Sequence, residues 1–188
     1  MAWCFSRTPF SCNSVSSNER DMTPHDFLNH LDQLGLDHQT VNHAPVFTVA
    51  EAQALRGSMP GGHSKNLLLK DRKGRLFLVV ADEDARIDLK TLHDKIGASG
   101  KVSFASADLL MAHWGVEPGS VTPFGAINDR DGVVTVVLDA AMMQHERLNF
   151  HPLINTMTTG ISRGDLVRFL QSTGHEPLIV AVTEISSL

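Results

Sequence analysis

Apolar positions recur along this chain in two rhythms, and the switches between them outline its elements. Thr23 and Pro24 give an N-cap and a first helical turn, after which Phe27, Leu28, Leu31 and Leu34 recur at helical spacing until Gly35. A short strand over 39–42 follows. "TVAE" at 48–51 is a capping box that opens a helix ending near Gly57. Beyond the glycine turn "PGGH", Leu67, Leu68 and Leu69 read as a buried strand over 66–71, with Lys65 at its mouth. The tight turn "RKG" and a second apolar run over 75–81 make this a hairpin.

The later chain mixes the two rhythms. Helices are predicted at 88–97 and 106–115, the second capped by Ser106, with the strand "KVSF" between them. Residues 115–132, "GVEPGSVTPFGAINDRDG", form a long loop rich in Gly and Pro. Strands at 133–139, 147–150 and 154–159 are joined by a short helix near 140–145. "SRGD" at 162–165 caps a last helix carrying Leu166, Phe169 and Leu170, and "PLIVAV" makes a last strand. No regular βαβ rhythm appears, so the fold class is mixed α/β, one domain around a central sheet. Residues 22–188 are expected to form that domain. Residues 1–21, serine-rich and aperiodic, read as a disordered tail or an extension ahead of a start at Met22.

Composition narrows the possibilities. Hydrophobic residues are 42% and charged residues 20%, an ordinary globular balance, and no apolar run approaches the roughly 20 residues that span a bilayer. The net charge of −5 excludes a broadly basic nucleic-acid coat, so any such contact is focused. Both cysteines, Cys4 and Cys12, fall in the first dozen residues. A disulfide framework, a structural zinc site and a cysteine nucleophile are therefore not expected, and a reducing cytoplasmic setting fits. The histidines show no metal-ligand spacing, and there is no nucleotide-binding glycine motif and no G-x-S-x-G. No cofactor is implied, and water is the expected nucleophile of any hydrolysis.

Three stretches stand out as candidate chemistry. Lys65 and Asn66 enter the first hairpin strand. "GSVTPFG" at 119–125 combines Gly119, Thr122, Pro123, Phe124 and Gly125 in a backbone shape that can free amides. In "LNFHPLINTMTT", His151 precedes Pro152 and is biased to an extended conformation, with Asn155 and Thr156 adding small polar groups.

Together "SKNLLLKDRKGRLFLVV", "GVEPGSVTPFGAINDRDGVVTVVLD" and "LNFHPLINTMTTGIS" resemble the YbaK/prolyl-tRNA-synthetase-associated editing domains, among them the free-standing alanyl-tRNA(Pro) deacylases. The resemblance covers about 22–184. It implies a mixed, largely antiparallel sheet flanked by helices, and trans-editing of a mischarged tRNA. Alanine would be hydrolysed from tRNA(Pro) and proline excluded by size; the alternatives are cysteinyl-tRNA(Pro) or another small aminoacyl-tRNA as substrate, a non-catalytic tRNA- or synthetase-binding module, and a small-molecule amino-acid hydrolase. By position, Lys65 matches a lysine that contacts the terminal nucleotide, Gly119 and Pro123 match a G-x-x-x-P loop, and His151 matches a histidine of the amino-acid pocket. Asn66, Thr122, Phe124, Gly125, Asn155 and Thr156 would help bind substrate. Partners would be the acceptor stem and 3′-terminal adenosine of tRNA(Pro), and prolyl-tRNA synthetase, but no membrane. The basic turn Lys70, Arg72, Lys73 and Arg75 is the candidate acceptor-stem contact.

Overall fold

The computed structural model describes residues 22–44 and 59–183. The expected helix over 48–57 and the N-terminal 21 residues lie outside this description. Eight strands form one mixed sheet: β1 (His38–Asn42), β2 (Gly62–Lys70), β3 (Leu76–Asp82), β4 (Ser103–Phe104), β5 (Val134–Asp139), β6 (Arg147–Phe150), β7 (Met157–Ser162) and β8 (Leu178–Val180). Their order is β1-β7-β6-β2-β3-β5-β8, with β4 on the flank of β2. Four pairings are antiparallel (β1–β7, β2–β3, β2–β4, β6–β7) and three parallel (β2–β6, β3–β5, β5–β8), matching the largely antiparallel sheet that the resemblance implied.

Period-two alternation decides which side chains meet which layer. Leu68, Leu78, Val80, Val136, Leu138, Leu148, Phe150 and Ile161 point to one face. There they meet α1 (Pro24–Gln33) and α4 (Arg163–Ser172), together with a 3-10 turn over Pro123–Ile127. Four phenylalanines lock this layer: Phe124 packs on Phe27 at 4.7 Å, on Phe150 at 5.5 Å and on Phe169 at 5.6 Å. Each such fully buried ring contributes about 2–3 kcal/mol from burial alone. The caps foreseen for α1 and α4 are in place, since Thr23 Oγ1 accepts from Asp26 N and Ser162 Oγ from Asp165 N.

On the opposite face Leu69, Phe77, Val79, Ala81 and Val137 are covered by α2 (Leu92–Ile96) and the chain around it. A further helix, α3 (Ala107–Trp114), is capped by Ser106 as expected. Several boundaries differ from the expectation. The first hairpin strand starts at Gly62 rather than 66, because Ser64 and Lys65 pair with Asp82 and Ala81. Lys65 therefore sits inside the strand, not at its mouth. The helix expected over 88–97 keeps only its last turn and a half, because Asp88 spends its carboxylate on Lys90 N and Thr91 Oγ1. The strand expected over 154–159 runs instead over Met157–Ser162. Pro152 donates nothing to a ladder, and Leu153 takes a left-handed backbone at φ 66°.

Candidate active site

The site begins where a ladder stops. β2 and β6 pair in parallel only at Gly62↔Leu148 and His63↔Asn149. Continuing that register would bring Lys65 level with His151, but the strands diverge first. Among the described residues, the side of β2 facing β6 then has no ladder partner until Leu68 O accepts from Ala105 N and β4 takes up Leu69 and Lys70. Lys65 and Asn66 thus lie on β2, and Phe150 and His151 at and just beyond the end of β6, past the last paired residues of the two strands.

Successive residues of β2 face opposite ways. Asn66 reaches the loop after α3: its Nδ2 donates to Val121 O at 2.9 Å. Lys65, on the other face, donates from Nζ to Ala85 O in the loop after β3. A backbone carbonyl, not a carboxylate, satisfies its ammonium, so its charge stays available to an anionic ligand.

The 119–125 loop divides into a rooted half and a presented half. Pro123, Phe124 and Gly125 are buried in the aromatic layer. Gly125 is required there, since a Cβ would lie 2.2 Å from the Trp114 ring. Trp114 Nε1 donates to Thr122 O at 2.6 Å, and Thr122 Oγ1 accepts from Phe124 N at 3.3 Å. Gly119 is exposed with φ 94°, a conformation that favours glycine. The amides of Ser120 and Gly125 are used inside the loop. Those of Gly119, Val121 and Thr122 make no hydrogen bond to another described residue.

His151 Nδ1 lies 2.9 Å from Met157 O. A carbonyl can only accept, so Nδ1 carries the proton and Nε2 keeps its lone pair in the neutral ring. Burial pushes the pKa below its ordinary value; the Met157 bond opposes this and nearby His43 adds to it. His151 is accordingly neutral at physiological pH. Asn155 and Thr156 are half-buried in the same turn, and Asn155 faces a cleft of about 390 Å³ shared with Glu117, Pro118 and Ser120.

Two neighbours of His151 had no place among the expected site residues. His43 and Thr158 join the site, with His43 Nε2 2.9 Å from Thr158 Oγ1 and the His43 ring 6.2 Å from that of His151. The sequence signal was the abundance of histidine for His43, and for Thr158 its place among the small polar groups of "LNFHPLINTMTT". The basic turn is not part of this constellation. Lys70 lies five residues along β2 from Lys65, about 17 Å away at strand rise. Arg75 is engaged locally, with Nε donating to Asp71 Oδ2 at 2.8 Å and Nη2 to Gly97 O at 2.9 Å. Among the described residues no group of three or more His, Cys, Asp or Glu is gathered to hold a metal, and no helix is long and apolar enough to cross a membrane.

A family model described as the aminoacyl-tRNA editing domain matches residues 43–169. ProX, a prolyl-tRNA editing protein of Acetoanaerobium sticklandii, is 40% identical over 146 residues, 77% of this chain and 88% of that protein. Prolyl-tRNA synthetase associated domain-containing protein 1 of Bos taurus is 38% identical over 154 residues, covering 80% and 90%. Among solved structures, a hypothetical protein designated APE2540 superposes with a TM-score of 0.66 at 23% identity, covering 84% of this chain and 98% of that one. A proposed trans-editing enzyme for prolyl tRNA synthetase gives 0.66 at 18% identity, covering 86% and 98%. These last two likenesses are of fold. The chain belongs to the aminoacyl-tRNA editing domain family. Within that family it is an enzyme, an aminoacyl-tRNA deacylase.

Proposed function

We propose that this protein edits in trans, in the cytoplasm, hydrolysing alanine from mischarged tRNA(Pro) and sparing prolyl-tRNA(Pro). The observation that carries this reading is the early end of the β2–β6 ladder, with Lys65 and Asn66 beyond it on one strand and His151 beyond the other, in a chain 40% identical to a prolyl-tRNA editing protein; this reading takes them as the walls of a substrate crevice. A proline pocket cannot strongly reject a smaller amino acid, because missing methylenes cost only about 1–3 kcal/mol, so a second, size-excluding site is needed.

In this reading the ester to the terminal ribose lies in the crevice. Lys65 leaves the Ala85 carbonyl for the phosphate or the ester oxygen, where exclusion of water strengthens its attraction. Water adds to the ester carbonyl, and the amide of Val121, which makes no hydrogen bond to another described residue, receives the developing oxyanion. The carbon–oxygen bond to the ribose then breaks, the ribose oxygen takes a proton and free alanine leaves. His151 Nε2, a neutral acceptor, orients the incoming water. Asn66 holds the amide-bearing loop at its Val121 carbonyl. Gly119, Asn155 and Thr156 line the approach, while Pro123, Phe124 and Gly125 root the loop. Lys70, Arg72 and Lys73 meet acceptor-stem phosphates further along the duplex.

The test is ester loss from alanyl-, cysteinyl- and prolyl-tRNA(Pro), with Lys65→Ala alongside. Alanine should be lost with proline spared, and Lys65→Ala should slow the reaction at least about a hundredfold, as for other positioned catalytic groups. Preferential loss of cysteine would change the substrate, and no hydrolysis of any ester would sink the reading.

A further inference from the structure

His43 has no role in the chemistry above, yet its backbone N–H and its Nε2 are bonded on either side of one carbonyl of the site. Its backbone N–H donates to Thr156 O at 2.9 Å, and its Nε2 lies 2.9 Å from Thr158 Oγ1. Between those two residues is Met157, whose carbonyl receives His151 Nδ1. His43 therefore grips the chain on either side of the group that orients His151. The register of β6 against β7 agrees: Phe150 pairs with Thr159, so the next step sets His151 opposite Thr158.

The tautomers follow from the partners. His43 Nδ1 lies 2.8 Å from Ala44 O, which only accepts, so in the neutral ring Nδ1 holds the proton and Nε2 accepts from the Thr158 hydroxyl. No ring atom of His43 is left for substrate. At His151 the same logic leaves Nε2 with a lone pair on the side of the ring away from the β7 backbone. If the Met157 carbonyl drifts, the proton is free to move to Nε2, and an acceptor facing the crevice becomes a donor.

We infer that His43 is a positioning residue. By holding Thr158 beside Thr156 it keeps the Met157 carbonyl where it fixes His151 in the Nδ1–H form, with Nε2 presented as an acceptor. What that lone pair then does rests on the proposed editing reaction; the tautomer does not. The β1–β7 ladder of five pairs and the backbone bond from residue 43 to Thr156 do not depend on the imidazole, so its removal leaves the strand pairing intact.

The experiment combines imidazole ¹⁵N spectra at neutral pH with single-turnover hydrolysis of alanyl-tRNA(Pro) by the wild type, His43→Ala, Thr158→Val and His151→Ala. Thr158→Val keeps shape and loses only the hydroxyl, and so guards against a folding defect in His43→Ala. The wild type should show His151 as a single Nδ1–H tautomer, and both His43→Ala and Thr158→Val should show a mixture. Their saturating rates should fall about tenfold, less than the roughly hundredfold or more expected for removing a positioned acid–base group itself, with half-saturation changed less than about twofold. Added to His151→Ala, the His43 substitution should cost less than about twofold, because it acts through a ring no longer present. An unchanged His151 spectrum, or losses that multiply, would overturn the inference. If the wild type hydrolyses no alanyl ester, the editing reading fails while the spectra still decide this one.

Discussion

At the scale of single residues, the proposed site combines a neutral histidine with a lysine held by a backbone carbonyl. His151 carries the clearest titration consequence. Its pKa is lowered, chiefly by burial, so its working neutral form persists on acidification below the point where an ordinary histidine protonates. A pH–rate profile on alanyl-tRNA(Pro) should therefore stay flat through about pH 6.5 and fall only beneath it. An inflection at or above that value would contradict the burial argument. The same shift makes the unfolded chain bind the proton first. Stability should fall with pH from about 6.5 down to the lowered native value and lose nothing further to this group below it. Lys65 and Asn66 were legible from the sequence because a lysine entering an apolar run is conspicuous. His43 was not, because its meaning lies in bonds to Ala44 and to Thr158, 115 residues away.

At the scale of elements, the loop after α3 is held by its neighbours more than by its own sequence. Trp114 grips it at the Thr122 carbonyl and Asn66 at the Val121 carbonyl, while Gly125 leaves room for the indole. Gly125→Ala should therefore be among the most damaging small substitutions. Overpacking costs about 1–3 kcal/mol, and the clash here is with a ring already fixed by a hydrogen bond, so the cost should lie at the upper end. Thermal unfolding would show it, with loss of hydrolysis at temperatures where the variant stays folded. The turn between β2 and β3 is built on Asp71. Burial pushes its carboxyl upward, but bonds from Ser99 N, Arg75 Nε, Arg75 N and Lys73 N hold it at about 2. Its stabilisation is thus complete above the ordinary 3.8 and lost as pH falls from there towards 2. Asp71→Asn should flatten the acid-unfolding curve across that interval. Caps, the hairpin and most strands could be read from local patterns such as Thr23-Pro24 and "SRGD". The shrinkage of the 88–97 helix and the late start of β7 could not, since they turn on the Asp88 side chain and the Leu153 backbone.

For the whole molecule, the expected mixed sheet emerged, but its strand order did not, because parallel contacts such as β2–β6 join segments some 85 residues apart. The separation of the basic turn from the crevice is likewise a property of the assembled sheet. That spacing yields a prediction. Arg72→Glu with Lys73→Glu should weaken binding of tRNA(Pro) and lower the salt dependence of Kd by about two phosphate contacts, leaving the saturated hydrolysis rate unchanged. A fall in that rate instead would bring the turn into the chemistry. The short β2–β6 ladder has a mechanical corollary. Among the described residues, two residue pairs stitch the β1-β7-β6 half of the sheet to the β2-β3-β5-β8 half along this seam, while the apolar layer beneath, with Phe150 from one half and Leu68 and Leu78 from the other, spans both. A hinge along this spine would move Lys65 relative to His151 like two covers opening, without repacking the core beneath.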